Sequence, residues 1–362
     1  MKWYRVYCFL KDLKDKNDLR VALALGVLFV FLGIQIATAQ HLRIFACAIA
    51  NDSVGASLGA SSEGSGLYQS DDTGKTWKHL GWNNIKCYSM DMVQSSNGRI
   101  IYEATGLGIL RSTDAGEHWK QITDWRVSEA MDVAVNQKNP NEIYIATAHG
   151  PWRTRDGGKS WELLMNGLPV PYTSRIVIDS VVENHILVAS EAGIFQLIYD
   201  SMWKPILAEQ RTRQDSLEKK ATRIRAIIEV NASFWVAGCE NTRLLISDDS
   251  AKSFYAWMTG PDTIWCVSVN GKSKFNSVFY IGGPRGEDYM KNQGDVYYAP
   301  GPHGEYHDVS AWIAIPRNRD FPGTFGTVSA ILATLGDGMF VQGRNTLPHR
   351  QIWTLKSFLV SP

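Results

Sequence analysis

An eight-residue motif recurs at a fixed interval in the first half of the chain. The copies read SDDTGKTW at 70–77, STDAGEHW at 112–119 and TRDGGKSW at 154–161, and a degraded copy, SDDSAKSF, lies at 247–254. In the three complete copies the aspartates Asp72, Asp114 and Asp156 stand 42 residues apart. A period of this length predicts a fold in which one small supersecondary unit is repeated and stacked.

Each repeat contains the segments of a four-stranded meander. A glycine and a short strand-like segment precede every complete motif, starting at Gly66, Gly108 and Gly150. Two β-rich apolar segments lie further upstream, and WELL follows the motif in the third unit. This order predicts four antiparallel strands per unit, with the motif as the turn between strands three and four.

The residue types of the motif suit a hairpin turn. Aspartate accepts hydrogen bonds from nearby backbone N–H groups, and glycine adopts positive φ without strain. Tryptophan lays a large apolar face over a neighbouring strand. We therefore assign a structural role to Ser70, Asp72, Gly74, Trp77, Ser112, Asp114, Gly116, Trp119, Thr154, Asp156, Gly158 and Trp161.

The period continues less regularly through the rest of the chain. Third strands are predicted near 66, 108, 150, 193, 243, 294 and 338. Such a series predicts an all-β, seven-bladed β-propeller with four antiparallel strands per blade. Blade one takes its strands from 42–50, 53–60, 66–70 and 76–80, and blade seven ends at 351–355. We therefore expect no exchange of strands between the termini.

The motif resembles the Asp box of the BNR-repeat propellers, which reads S/T-x-D-x-G-x-x-W. That family includes the sortilin N-terminal domain, xyloglucanase-type glycoside hydrolases, sialidases, and photosystem II stability/assembly factors. The resemblance covers about 41–356 and implies a propeller in which the box is a structural device. It implies no single function, because the same fold carries many.

The N-terminus has the features of a targeting segment. Residues 1–20 carry six Lys/Arg and three Asp, and an apolar segment follows that ends in Ala37-Thr38-Ala39. This predicts a cleaved signal peptide over 1–39, with an uncleaved membrane anchor as the alternative. Residues 40–362 are expected to form a single propeller that is monomeric and exported to the periplasm or the extracellular space.

Charge and cysteine content limit the partners. The chain has 37 Lys/Arg and 36 Asp/Glu, a balance that predicts no nucleic-acid partner. Cys47, Cys87, Cys239 and Cys266 form no C-x-x-C pair, and no histidine cluster has metal spacing, so neither metal nor cofactor is expected. Buried free thiols are favoured over disulfides, which export would permit.

Two long loops map to the face opposite the Asp boxes. Residues 204–225 carry seven Lys/Arg against three acids, and either connect two blades or cap an acidic partner through arginines 211, 213, 223 and 225. Residues 282–294 have Gly-rich ends, and form either an adaptable flap or a tolerated insertion. The candidate binding residues of this face combine aromatic surface with charge, and are Trp125, Arg126, Tyr172, Arg175, Glu191 and Arg285.

Non-catalytic recognition of a protein, peptide or glycan on that face is the favoured function. The alternative is a glycoside hydrolase that uses paired carboxylates there, for example Glu191 with Asp337 or Glu240. The resemblance weakens this alternative, because xyloglucanase-type enzymes clamp glycan between two propellers and this chain has repeats for one. The arginine signature of sialidases is also missing, so no catalytic residue is assigned.

The structural role of the box gives a direct test. Replacing Asp114 by Ala should lower the melting temperature by a few degrees, because the turn loses its hydrogen-bond acceptors. Binding of any ligand by the folded protein should remain intact. Thermal unfolding followed by circular dichroism measures the first effect. Loss of ligand binding at an unchanged melting temperature would contradict the structural role.

Overall fold

The strands of the repeat units pair in antiparallel sheets, as shown by a computed structural model of the chain. Within the residues that it describes, every paired strand is antiparallel to its neighbour and no helix is present. The described residues are 43–49, 65–71, 76, 78–96, 98–208, 223–240, 243–259, 264, 266–271, 277–282, 296–300, 313–314, 325–334, 338–345 and 354–361. The predicted targeting segment, and Asp72, Gly74, Trp77, Arg285 and Asp337, lie outside these ranges.

The sheets follow the chain in order. Sheet 1 contains β1 (Arg43–Ile49), β2 (Gly66–Ser70) and β3 (Lys78–Leu80). Sheet 2 contains β4 (Cys87–Ser95), β5 (Gly98–Thr105), β6 (Gly108–Ser112) and β7 (Lys120–Gln121). Sheet 3 contains β8 (Ala130–Val135), β9 (Ile143–Thr147), β10 (Trp152–Thr154) and β11 (Glu162–Leu163). Sheet 4 contains β12 (Thr173–Ile178), β13 (Ile186–Ser190), β14 (Gly193–Ile198) and β15 (Met202–Ala208).

The later sheets are built in the same way. Sheet 5 contains β16 (Ile224–Asn231), β17 (Phe234–Cys239), β18 (Arg243–Ser247) and β19 (Tyr255–Thr259). Sheet 6 contains β20 (Cys266–Gly271), β21 (Ser277–Gly282), β22 (Val296–Pro300) and β23 (Ile313–Ala314). In the described part of sheet 7, β24 (Phe325–Thr334) pairs with β25 (Gly338–Asn345). The strand near 338 therefore stands second in its sheet, not third as predicted, since no Asp box marks the third place there.

The termini meet in sheet 1. The last strand, β26 (Thr354–Ser361), pairs with β1 and places Leu359 opposite Phe45, which gives the order β26-β1-β2-β3. The expectation of no strand exchange is therefore wrong. The expectation failed because the Asp box identifies strands three and four of a sheet but does not show which segment of the chain supplies strand one. Because β1 pairs directly with β2, it takes the second place and the first strand comes from the other end of the chain.

The first strands of the sheets contact one another in cyclic order. β4 touches β8, and the series continues through β12, β16, β20 and β24 to β26, which touches β4 again. Apolar clusters fill the space between neighbouring sheets. Tyr102 of sheet 2, for example, packs in one cluster with Ile145 of sheet 3, while Tyr144 packs in the next cluster with Val188 of sheet 4. Alternate side chains of a strand thus serve two interfaces.

The aspartates of the Asp boxes accept several hydrogen bonds within their own turns. Asp114 accepts a hydrogen bond from the Ser112 hydroxyl at 2.8 Å and another from the backbone N–H of His118 at 2.9 Å. These bonds, led by the His118 backbone N–H, lower the pKa of Asp114. Asp156 makes the same contacts to Thr154, at 2.8 Å, and to the backbone N–H of Ser160, at 2.9 Å.

The degraded copy forms the same turn. Asp249 accepts the Ser247 hydroxyl at 2.7 Å and the Ser253 backbone N–H at 3.0 Å. Ala251, which stands where the complete boxes have glycine, adopts φ 58°. The degraded sequence therefore keeps the hydrogen bonds and takes on the strain of a non-glycine residue at positive φ.

The box tryptophans differ in their surroundings. Trp161 is buried, and its indole N–H donates to the carbonyl of Ile122 in the preceding unit at 2.9 Å. Trp203 of the next unit donates to Leu164 in the same way at 2.8 Å. Trp119 is only half-buried and donates to Gly116 of its own turn at 2.9 Å. The indole N–H groups of Trp161 and Trp203 thus link neighbouring units. The Trp119 N–H stays within its own hairpin, although its ring packs against the apolar cluster between sheets 1 and 2.

The fourth unit has lost its box, and a residue of sheet 3 holds its turn. Tyr199 and Asp200 adopt φ 47° and 64° in the tight turn between β14 and β15. The buried side chain of Arg153 donates to the Asp200 carbonyl at 2.9 Å and to its carboxylate at 2.5 Å. An arginine from the neighbouring sheet therefore does for this turn what an internal aspartate does for the others.

A disulfide joins sheets 1 and 2. Cys47 of β1 and Cys87 of β4 are bonded, and their Cα atoms lie 5.0 Å apart, within the usual disulfide range. The expectation of free thiols is wrong for this pair, because two residues 40 positions apart in a repeat fold face each other across one interface. Cys239 is a free, buried thiol, as expected. The side chain of Cys266 lies outside the described residues.

Glu103 breaks the apolar pattern at the same interface. It is fully buried in β5, and neither carboxylate oxygen has a hydrogen-bond partner among the residues that the structure describes. Ile145, Val188 and Ala237 stand at the corresponding place in β9, β13 and β17. Burial raises the pKa of Glu103 to about 8, so the carboxyl is neutral at pH 7.

This burial predicts a pH-dependent loss of stability. The folded-state pKa lies above the ordinary 4.5, so between pH 4.5 and about 8 the folded protein holds a proton that the unfolded chain releases. The free energy of unfolding should therefore fall as pH rises through this window, by up to about 1.4 kcal/mol per pH unit from this group. Chemical denaturation at pH 5 to 9 measures it.

Glu103→Ile is the variant for this test, because isoleucine already occupies the corresponding place in sheet 3. Its stabilisation relative to the parent should be small at low pH and should grow toward pH 8. The buried carboxyl Asp91, which also titrates near neutrality, is present in both proteins and cancels in the difference. Parallel stability curves for the two proteins would contradict the prediction.

Candidate functional site

Antiparallel pairing divides the loops between two faces. In a four-stranded meander the turn between strands two and three lies at one end, and the turns between strands one and two and between three and four lie at the other. The links from one sheet to the next join the first end. We call this end the loop face and the other the box face. The predicted binding residues Trp125, Arg126, Tyr172 and Glu191 belong to the loop face by this topology.

A β-bulge recurs where four successive first strands leave the loop face. The register shifts at Tyr88 in β4, Met131 in β8, Ser174 in β12 and Arg225 in β16. A bulge bends its strand and redirects the side chain of the extra residue. The repetition is invisible in the amino-acid pattern, because the four bulge residues have nothing in common. The bulges change the strand ends at the loop face, while the pairing of the rest of each sheet is kept.

Arg225 is the centre of an ionic group on the loop face. Its Nη1 donates to the Tyr172 hydroxyl at 3.0 Å, and its Nε donates to Glu240 Oε1 at 2.5 Å. The guanidinium also lies over the Tyr172 ring, 5.3 Å from the centroid. Glu191 approaches it to 4.0 Å, and Arg223 adds contacts to Glu240 at 3.4 Å and to Glu191 at 3.9 Å. Two predicted binding residues, Tyr172 and Glu191, are brought together by this arginine.

The ionic group weakens two of the chemical roles considered for these residues. Glu191 and Glu240 face guanidinium groups, whereas a glycosidase needs one carboxyl that presents a proton to the leaving group. Arg223 and Arg225 form ion pairs with the same two glutamates, so these arginines contribute little unpaired positive charge to the expected basic patch. Arg211 and Arg213, the other members of the expected basic patch, lie outside the described residues. Among the described residues, no group of side chains has the composition of a metal site.

Trp125 and Arg126 project from the link between sheets 2 and 3. The Trp125 side chain is 88% exposed, the highest value among the described large apolar residues. Arg126 forms a salt bridge of 2.7 Å with Asp124, and its guanidinium lies 5.9 Å from the centre of the Trp152 ring. Asp124 thus holds Arg126 in place next to Trp125, whose side chain is exposed to solvent.

Arg175 lies apart from these groups. Its Nη1 donates to the carbonyl of Ser174 at 3.1 Å and reaches that of Met131 at 3.5 Å. Its charge acts on the buried Asp132, which accepts the Ser89 hydroxyl at 2.5 Å and the Ile176 backbone N–H at 2.9 Å. Burial raises the pKa of Asp132, and Arg175 opposes the rise. Arg175 therefore belongs to a polar chain that joins the first strands of sheets 2, 3 and 4.

The structure adds loop-face residues that the sequence alone did not single out. Tyr88 lies near Glu129 and Tyr172, and burial and these two neighbours raise its pKa. Glu129, at φ 49°, also approaches His149 Nε2 to 3.7 Å. The positive φ of Glu129 could not have been foreseen, because glutamate rarely adopts it. Tyr88 follows a cysteine in an ordinary strand pattern, and only the bulge sets it apart.

Comparison with known proteins places the chain by its fold. No protein-family model matches the sequence, and no curated protein sequence matches it. The structure is similar to an ancestral GH74 enzyme, with a TM-score of 0.51 and 17% identity over 80% of this chain and 43% of that one. It is also similar to the WD40 repeats of RRP9, with a TM-score of 0.50 and 9% identity over 73% and 76% of the two chains. The fold is a β-propeller.

A third similar structure is the extracellular domain of a hybrid two-component system of B. thetaiotaomicron, with a TM-score of 0.59 and 14% identity. The match covers 88% of this chain and 38% of that one. The chain thus spans about two fifths of the length of this structure and of the GH74 enzyme. In the part of the chain that the structure describes, no helix has the length and apolar character of a membrane span.

Proposed function

We propose that the chain is an exported, non-catalytic propeller that recognises a protein or peptide on its loop face. The observation that carries the proposal is Trp125, an indole left 88% exposed beside the fixed cation of Arg126. Trp, Tyr and Arg are the residue types that dominate binding energy at protein interfaces. A large exposed apolar side chain beside a fixed cation is the arrangement expected of an interface anchor.

The proposal includes an Asp-box (BNR-repeat) propeller of seven blades, formed by residues 40–362 as a single, monomeric domain. The cyclic contacts of the first strands support this number, since β4, β8, β12, β16, β20, β24 and β26 form one closed series. The matching hydrogen bonds of Asp114, Asp156 and Asp249 support the box. A seven-fold ring with rigid box turns holds the loop-face residues of neighbouring blades at fixed separations.

Export is supported by the Cys47–Cys87 disulfide, because such bonds persist in oxidising compartments. Together with the apolar segment that ends at Ala39, the disulfide favours a signal peptide over 1–39 and a periplasmic or extracellular site of action. An uncleaved segment would instead tether the propeller to a membrane.

The ionic group around Arg225 gives the same face a second point of recognition. Arg225 is held by Tyr172 and Glu240, and an acidic side chain of a partner is able to compete with Glu191, whose contact is the longest at 4.0 Å. Mixed charge of this kind favours specificity over bulk affinity. A glycan that stacks on Trp125 is the second candidate ligand, and a hydrolase is disfavoured by the pairing of Glu191 and Glu240 with arginines.

The test removes the anchor without altering the fold. Trp125→Ala should leave the melting temperature unchanged and should weaken partner binding by at least about tenfold, as for interface hot spots. Arg126→Ala should weaken it less. Tyr199→Ala is the matched control, because Tyr199 is 86% exposed in a turn of the box face. Quantitative pull-down from the secreted and envelope fractions of the native host, with a peptide array, provides the measurement.

Three results decide between the ligand classes. Loss of specific peptide spots or captured proteins in Trp125→Ala, with retention in Tyr199→Ala, supports the proposal. The same dependence on a glycan array, with no peptide or protein captured, would replace the protein ligand by a saccharide. Loss in Tyr199→Ala, with retention in Trp125→Ala, would move the site to the box face and overturn the proposal.

A further inference from the structure

We propose that a cleft on the outer rim of the propeller, between sheets 2 and 3, binds an anionic saccharide. The cleft has a volume of about 560 Å³, which lies in the range of ligand pockets, roughly 300–1,000 Å³. One wall is the outer strand β7 with the Asp-box turn before it, and the other wall is the Asp-box turn of sheet 3. The side chains that the argument uses are Arg111, His118, Trp119, Lys120, Lys159 and Trp161.

The walls of the cleft are fixed by bonds between the two sheets. Arg111 Nη1 donates to the Gly157 carbonyl at 3.1 Å, and the Trp161 indole donates to the Ile122 carbonyl at 2.9 Å. Gly158 lies so close to Ile122 that an added Cβ would come within 2.8 Å of the Ile122 side chain. The cleft is therefore a built feature of the interface and not a gap between free loops.

The cleft carries an excess of positive charge. Among the described lining residues Arg111, Lys120 and Lys159 are cationic, and Asp124 is the one carboxylate. Asp124 forms a salt bridge of 2.7 Å with Arg126, and the nearby Asp114 is bonded within its own turn to Ser112 and to the His118 ring. Within the described ranges, neither Lys120 nor Lys159 has an ion-pair partner. Two lysines with no counter-charge, on opposite walls of one cleft, favour a ligand that carries negative charge.

The remaining lining favours a sugar ring as the carrier of that charge. The half-buried indole of Trp119 offers a flat apolar surface, and Trp161 extends the apolar wall behind it. Thr113 and the backbone of the box turn supply groups that hydrogen-bond hydroxyls. A nucleic acid is disfavoured, because the net charge of the whole chain is only +1.

Sulfated and carboxylated sugars share this chemistry, so both are used as probes. Isothermal titration calorimetry of the full-length protein with a chondroitin 4-sulfate tetrasaccharide and with tetragalacturonate should show binding of at least one. Neutral chitotetraose should not bind measurably. Affinity should fall as salt is raised, since exposed lysines are screened. The probe that binds identifies sulfate or carboxylate as the recognised group.

The decisive variant is Lys120→Gln/Lys159→Gln. Both side chains are exposed, so the fold should be unaffected, and affinity for the bound probe should fall by roughly tenfold or more. The matched control is Lys204→Gln/Lys252→Gln, which removes the same amount of charge. Lys204 lies in β15, the outer strand of sheet 4, and Lys252 lies in the degraded box of sheet 5. The control should bind as the parent does, and so should the loop-face variant Trp125→Ala.

Four outcomes would overturn the proposal. They are absence of binding by both anionic probes, equal binding of chitotetraose, equal losses in the two lysine pairs, and binding of a single-stranded oligonucleotide in place of either saccharide. The loop-face proposal depends on the side chain of Trp125 and is tested with different ligands. Either proposal can therefore fail while the other stands.

Discussion

The pairing of β1 with β26 is the constraint on which the rest of the structure depends. A sheet of this fold buries each face against a neighbour, so an open row would leave two apolar faces in water. Backbone hydrogen bonds between the first and last strands remove both exposed faces at once. The Cys47–Cys87 disulfide then fixes the sheet that contains both termini to sheet 2. The loop-face residues inherit their separations from this closure, because they come from different sheets.

Contacts between neighbouring units follow the repeat of the sequence itself. Trp161 and Trp203 each donate to a carbonyl 39 residues earlier, so the tryptophan at this position of the repeat builds the same link twice, also where the rest of the box is lost. Where the motif decays, two different contacts keep the turn. In the fourth unit, which has lost its box, Arg153 of the preceding sheet holds the turn. In the fifth unit the box aspartate itself, Asp249, is kept and holds the turn although alanine replaces the box glycine.

The sequence predicted the features that recur and missed those that depend on one place in the ring. The glycine before the third strand located β2, β6 and β14 at the residues where they begin, because this signal acts within one hairpin. The exchange of strands and the disulfide were missed, since both join segments that no local pattern relates. Of the ionic group on the loop face, Tyr172 and Glu191 were named from the sequence as binding residues, as were Trp125 and Arg126 on the same face, and their role in binding stays a prediction. The partner of Tyr172 and Glu191, Arg225, was assigned to a basic patch, because only the fold brings Glu240 within 2.5 Å of it.

The two faces differ in how far their polar groups are already satisfied, and this difference bears on function. On the box face Asp114 and Asp156 accept hydrogen bonds from their own turns, and these bonds hold their pKa values low. Such carboxylates have no proton to give, and both oxygens of each are already bonded within their own turns. On the loop face the Trp125 side chain is 88% exposed, and Glu191 lies at the limit of ion-pair distance from Arg225. Groups that are incompletely satisfied in the free protein gain most on binding, so the capacity for recognition lies with the loops and with the exposed side chains of the box turns, and not with the box aspartates themselves.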